Sequence, residues 1–468
     1  MGSGEAYEAH RLVSRSEPVV LEGSGALDAV LARFPCPPDL ARDAPDGPVR
    51  VLLAAPGQGR TVRHFDAALN VPGSIYHVRK PPSRVEHLGI GDFLERSRTW
   101  KRGGLFLDHT FARPAAAAGP GGPDPQPAGE TPYGEGEIPY GDDGDADAAD
   151  PGHDPPPRAP LPRMAPAPGP GGGGGLEAVL IELVDWGFFE RLARAHGYGG
   201  VASAALVALP RGCMAAPRYE SADAVFLQLH GRVRVSLVPP AQALSGAYCF
   251  PVRHPLDRHP MADLETLDPV AWPASPGVRG RCCVLGPGDA LVVPAGWLQG
   301  TEGLSDPAAT AVRVEMVPGA RAAPEAATAL ELSRCVERWA SDLEGTGGAR
   351  EFLVRVAAGG LVGRWDPSDL RGYERTRLCQ EIRDEAAALV GRARVRELLS
   401  AIVDHRLMPT GWLDDGAGDP LRLADRPAAE ADDRSEWERK YPQLFRGALE
   451  ERGWHVEPTV STVRIPGR

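Results

Sequence analysis

The 468-residue chain has no run of about 18 apolar residues, the length a helix needs to cross a bilayer, so no transmembrane helix is expected. Its first residues, Met-Gly-Ser-Gly-Glu-Ala-Tyr-Glu, hold no apolar segment, which argues against a secretory leader. Cysteine is scarce: there are seven, Cys282 and Cys283 are adjacent, and no Cys-x-x-Cys pair occurs. That odd count and spacing suit neither a disulfide framework nor a zinc site, and a reducing compartment is the natural setting. Positive charge is in deficit as well. A formal net charge of -12 and a pI near 5.5 exclude a broad nucleic-acid-binding surface, although Arg98, Lys101 and Arg102 form a local basic group. These absences lead to the expectation of a soluble intracellular protein, in cytoplasm or nucleus, with no membrane partner.

What is present centres on residues 211–318. Short apolar and β-branched runs such as Val225-Phe-Leu-Gln-Leu-His230, Val233-Arg-Val-Arg-Val and Ala290-Leu-Val-Val293 are bounded by glycine and proline, the signature of short antiparallel strands. Gly286-Pro-Gly-Asp289 reads as a turn, because proline fixes φ and glycine accepts positive φ. The fold expected is mainly β, a cupin or jelly-roll barrel with flanking helices. Residues 1–112 supply buttressing strands and helices, and 176–197 read as one helix kinked near Gly187 or as two successive helices. Residues 113–175 are dominated by Pro, Gly, Ala and Asp, a composition that cannot recover ordering entropy, so a disordered insertion is expected there. Its Tyr133 and Tyr140, in Pro-Tyr-Gly steps, are either a short recognition element or incidental. The barrel core is assigned to 176–320 and two helices to 321–364, with an additional helical region at 365–468 in which no nucleotide, metal or nucleic-acid motif is recognisable.

Five pieces, Lys101-Arg-Gly-Gly-Leu-Phe-Leu107, Gly231-Arg-Val-Arg-Val with Pro239-Pro240, Tyr248-Cys-Phe-Pro-Val-Arg-His-Pro-Leu-Asp-Arg258, Gly286-Pro-Gly-Asp289 and Val293-Pro-Ala-Gly-Trp297, are similar in order and spacing to the JmjC/cupin group of iron- and 2-oxoglutarate-dependent oxygenases. Within it the chain most resembles the asparaginyl hydroxylases. The resemblance spans roughly 10–112 and 176–363 and implies a JmjC-like double-stranded β-helix. It also implies where an iron triad would sit: the positions carry Arg218, Glu220 and Gln299. A guanidinium has no lone pair for a metal, so one carboxylate and one weak amide oxygen remain where the family has two histidines and a carboxylate. The positions that hold 2-oxoglutarate in the family carry Phe106, Ala215, Ala224, Val233, Glu315 and Val317, so the cosubstrate's lysine partner is replaced by valine and a carboxylate is added.

The residues themselves leave alternatives open. Arg218 and Glu220, two apart on an expected strand, face one side and read most simply as a salt bridge, next as a repurposed anion or metal site, and last as a working acid/base pair. Asp108, Arg258, His259 and Arg313 are candidate ligand contacts, with Arg258 equally readable as a loop anchor on Asp257 or Asp263. His254, followed by Pro255, reads as a turn residue. The implied C-terminal helices offer Leu332, Val336, Trp339, Phe352, Leu353 and Val356 to a homodimer through 326–358, or to packing within the chain. The function expected is that of a metal-free, noncatalytic binding, scaffold or regulatory protein with a protein or peptide ligand and no cofactor. The alternatives are a divergent hydroxylase using Fe(II) and 2-oxoglutarate with Glu220, Asp108 or His109, and Gln299, or an iron-independent enzyme.

Overall fold

The computed structural model describes residues 16–43, 48–54, 61–62, 83–100, 104–114, 164–166, 175–250, 256–262, 274–317, 325–358, 370–406 and 461–464, with isolated positions between 250 and 274. Lys101, Arg102, Tyr133, Tyr140, His254 and Asp263 lie outside them. Strands form where apolar and β-branched residues run between turn residues, and they assemble into two sheets. In spatial order the larger contains Ser461–Arg464 (β15), Val19–Glu22 (β1), Ala290–Val293 (β12), Ala224–His230 (β9), Ala308–Val317 (β14), Gly200–Pro210 (β7), Leu105–Pro114 (β5), Val49–Ala54 (β2) and Ser83–Leu88 (β4), with Met164–Pro166 (β6) paired to β5. The smaller runs Arg281–Leu285 (β11), Val233–Val238 (β10), Leu298–Gly303 (β13), Met214–Arg218 (β8) and Thr61–Val62 (β3).

One face of the large sheet packs on the small one. Phe226, Leu291, Val293 and Ala309 from the first meet Val233, Val235, Leu237 and Leu285 from the second in a single apolar cluster. The other face is covered by helices Asp28–Arg33 (α1), Pro37–Asp43 (α2), Ile90–Thr99 (α3), Leu176–Leu183 (α4) and Trp186–His196 (α5). Apolar positions at helical spacing put Leu176, Leu180, Phe188, Phe189 and Leu192 against Leu105, Leu107 and Val314, and burying each such side chain stabilises by about 2 kcal/mol. Two helices form here because Asp185 interrupts the run: its carboxylate accepts from the Phe188 backbone N–H at 3.3 Å and caps α5. Gly197, at φ 76°, ends α5.

Helix Pro240–Gly246 (α6) links the small sheet to a layer made of Glu325–Ala358 (α7), Leu370–Val390 (α8) and Val395–Arg406 (α9). Within α7 the backbone leaves helical geometry at Gly345, φ 74° and ψ 168°, so the segment is two helices meeting at that glycine, as the pair expected in 321–364 requires. Val336, Phe352, Leu353 and Val356 are buried against Cys379, Ile382, Leu399 and Ile402, so these apolar positions pack within the chain.

The fold is mixed α/β, with 44% helix and 32% strand among the described residues, not mainly β. Nor is it a closed cupin-type or JmjC-like double-stranded β-helix barrel: both sheets are open, ending at β15 and β4 in one and at β11 and β3 in the other. Period-two patterning reports that a strand has a buried face, but closure depends on pairings between distant segments that local pattern does not carry. The expected insertion from 113 also begins inside a strand, since Ala112 to Pro114 pair with Met164 to Pro166.

Candidate functional site: a pocket between the sheets

A pocket with about 750 Å³ of empty space lies between the two sheets. Its walls come from β5, β7, β9 and β14 on one side and from β8, β10, β11 and β13 on the other. They are mostly apolar, and five of the lining residues, Ala208, Ala215, Ala216, Ala309 and Ala311, are alanine, which is why space remains between sheets that elsewhere interdigitate. The polar lining consists of Arg218, Gln228, His259, Gln299, Thr301 and Arg313.

Arg218 and Gln299 are direct cross-strand partners on β8 and β13. The ladder slips by one residue between this pair and the next, Ala215 with Thr301. Such a bulge breaks strict alternation of faces, which accounts for the consecutive Ala215 and Ala216 both bordering the pocket with Arg218. Strand β8 ends at Arg218, so Glu220 is not on the strand as expected, yet its Oε1 sits 2.7 Å from Arg218 Nη2. Arg258 Nη1 approaches the other oxygen at 3.4 Å, and its Nη2 donates to Ser221 Oγ at 3.2 Å. The anchor of Arg258 is therefore Glu220, while Asp257 is engaged by Arg334 of α7. His259 Nδ1 lies 2.9 Å from the Pro217 carbonyl oxygen.

Arg313, on β14, is almost wholly buried, with its Nη2 3.6 Å from Asp108 and 3.5 Å from Glu315. Burial alone would weaken its proton affinity, but those carboxylates, with Glu220 further off, outweigh it and hold the guanidinium charged. Glu315 also accepts from Ser203 Oγ at 3.0 Å. The arrangement is directional: two guanidiniums line the pocket, and the carboxylates that balance them do not.

The remaining expected positions divide. Phe106, Ala215 and Val233 line the same pocket. Ala224 is buried at one end of β9, paired with Val293 and Glu315. Val317 is exposed at the end of β14, away from the lining residues. His109 is 3.0 Å from Glu177 of α4, on the face of β5 opposite Asp108, as alternation along a strand requires; the two do not meet at one site. Among the described residues no group of three or more His, Cys, Asp or Glu side chains is placed to hold a metal ion.

An Fe(II) centre with 2-oxoglutarate is what the sequence resemblance implies, and the residues do not fit it. The donors at the triad positions are a cation, a carboxylate already shared by two guanidiniums and an amide oxygen. Toward the far end Val233 and Leu285 offer no cation to a second carboxylate.

Gln228 was not singled out by sequence reasoning, although one amide inside the apolar run Val225–Leu229 is the signal that marks it. It is fully buried at a second bulge, where the β9–β14 ladder shifts between Thr310 and Ala311. Its Nε2 donates to the carbonyls of His230 at 2.7 Å, Thr310 at 3.1 Å and Gly231 at 3.3 Å. These acceptors set which way the amide points, leaving Oε1 buried and without a hydrogen-bond partner.

The fold and site thus define an α/β protein with a mostly apolar, cation-tipped pocket between two sheets. No model of a known protein family matches the chain.

Proposed function

We propose that this protein is a noncatalytic binding or regulatory protein, related to the iron- and 2-oxoglutarate-dependent oxygenases its sequence resembles, that uses the inter-sheet pocket to hold a ligand. The observation that carries this reading is the Arg218–Glu220 contact at 2.7 Å, which puts a permanently charged guanidinium where that family's chemistry needs a neutral imidazole. Arg258 shares the same carboxylate, so Glu220 could ligate a metal only by giving up two cations.

Seven cysteines without a disulfide suit a reducing compartment, cytoplasm or nucleus. No helix among the described residues is long and apolar enough to cross a membrane. The reading assigns no homodimer to 326–358, whose central apolar positions are spent inside the chain. Where a protein or peptide partner is engaged, the exposed Ser221, hydrogen-bonded to Arg258 next to the pocket residue His259, is a polar contact it can use.

The test is direct. Protein loaded anaerobically with Fe(II) and 2-oxoglutarate and then exposed to oxygen should bind no stoichiometric iron and form no succinate. Succinate formation that disappears in Glu220→Gln would overturn the reading in favour of a divergent hydroxylase.

A further inference from the structure

Resting on that reading, we infer that the ligand of the pocket is a monocarboxylic acid with an uncharged, apolar body, its carboxylate held between Arg218 and Arg313 and its body directed toward Val233 and Leu285. Three features of the pocket lead there.

The first is the sign and direction of charge. Both cations of the lining, Arg218 and Arg313, are guanidiniums, the lining contains no carboxylate, and a guanidinium presents several N–H donors in a plane suited to a carboxylate. Glu220 occupies one nitrogen of Arg218, and Asp108 and Glu315 approach one nitrogen of Arg313 at 3.5 Å or more. Arg313 Nε is buried with no hydrogen-bond partner. An incoming carboxylate supplies the acceptor this nitrogen lacks. Gln299, opposite Arg218 in the ladder, adds an amide at the same end.

The second is the far end. Pairing of Val233 with Leu285 and Gly303, and of Val235 with Thr301, places that end of β10 away from the Arg218–Gln299 pair. Its walls are Val233, Val235, Leu285, Ala309 and Ala311. The polar atom fixed nearby is an acceptor, Gln228 Oε1, because three carbonyls hold the amide's nitrogen. A second carboxylate placed there would be buried without a cation and beside the negative end of a dipole, which disfavours it in a desolvated site. A hydrocarbon end, or one bearing a hydroxyl donor, meets no such cost.

The third is room. The five alanines of the walls leave space between the sheets beside both guanidiniums and along the apolar lining, and the pocket opens to solvent. The pocket therefore selects by one charge at one end and by apolar contact along the rest.

Calorimetric titration of the full chain with octanoate, octanamide and suberate separates the parts of this inference. These probes share a chain length and differ only in carrying one, no or two carboxylates. Octanoate should bind, and octanamide and suberate should each bind about tenfold more weakly or worse. Arg218→Gln should lower octanoate affinity about tenfold and shrink the difference between octanoate and octanamide, a pattern that general unfolding would not produce. Equal binding of octanoate and octanamide would overturn the charged head, and equal binding of suberate would overturn the apolar far end. Failure of all three to bind, with no succinate formed in the iron assay, would sink this inference and leave the noncatalytic reading standing; succinate formation would sink that reading itself.

Discussion

Arg218, Glu220 and Arg258 show how one substitution in kind changes a site. A cation on β8 recruits the nearby carboxylate, the carboxylate recruits a second cation from the following loop, and a set of potential donors becomes a structural network. Arg258 adopts φ 72°, a left-handed conformation that costs a non-glycine residue about 1 kcal/mol, and its contacts with Glu220 and Ser221 offset that cost. His230 is a second residue whose setting is decided by burial. Its Nε2 faces the Phe34 carbonyl oxygen and must donate there, leaving Nδ1 to accept from Thr310 Oγ1 at 2.8 Å. Burial pushes its pKa below the ordinary 6.5. The unfolded chain therefore takes up the proton first as the pH falls, so the stability owed to His230 is complete above about pH 7 and is lost progressively below 6.5 until the folded form is protonated too. Urea midpoints measured between about pH 7.5 and 5 should fall with acidity, and His230→Gln should show a shallower decline than the parent. A parallel decline in both would refute the assignment.

At the scale of elements, two bulges and one turn build the pocket. The β8 bulge sets consecutive Ala215 and Ala216 on the pocket wall with Arg218, and at the β9 bulge the Gln228 amide donates to the carbonyls of His230 and Thr310. The turn from β12 into β13 is held by Gly296, whose N–H donates to the Glu220 carbonyl at 2.8 Å. Its φ is 79°, and a Cβ there would lie 2.9 Å from Ala327 Cβ in the first turn of α7. Gly296→Ala should thus combine backbone strain with a clash against a helix and destabilise by about 2 kcal/mol. Because the same peptide positions Glu220, the variant should also weaken octanoate binding. Denaturant titration beside calorimetry checks both, and an unchanged midpoint would show that the turn and α7 yield more readily than their contacts suggest.

At the scale of the whole molecule, the helical layer does more than add mass. Arg334 of α7 pairs with Asp257, which with Glu331 holds the guanidinium firmly protonated, and Glu337 accepts from the Val252 N–H at 2.8 Å. These contacts tie α7 to the loop that carries Arg258 and His259 to the pocket. Arg334→Ala leaves Asp257 largely buried without its cation, a loss of about 3 kcal/mol for a paired, desolvated carboxylate. Hydrogen exchange should then quicken at 256–262 more than in β9 or β14, and octanoate affinity should fall although no pocket residue has changed. Uniform exchange across the chain would mean the layer stabilises the protein globally and does not position the loop.

Much of this protein is legible in sequence wherever the determinant is local. Strands β1, β2, β9, β10, β12 and β14 follow from apolar runs between turn residues, and helices α4, α5, α8 and α9 from apolar spacing, although the first break falls at Asp185 and not at Gly187, while Gly391 separates α8 from α9. The ion pair of Arg218 with Glu220 was readable too, because two opposite charges so close in the chain need little tertiary help to meet. What the tertiary structure decided is what depends on distant segments. Open sheets instead of a barrel, the α7–α9 core in place of an exposed helical face, Glu220 and not Asp257 as the partner of Arg258, and Val317 outside the pocket are all outcomes of pairing and packing across scores of residues. Whether a strand closes a sheet or ends it, and which side of a wall a side chain lines, depends on registers such as Gln299 with Arg218 that no local pattern encodes. Composition and periodicity determined the pieces of this protein, and long-range registry determined the pocket between them.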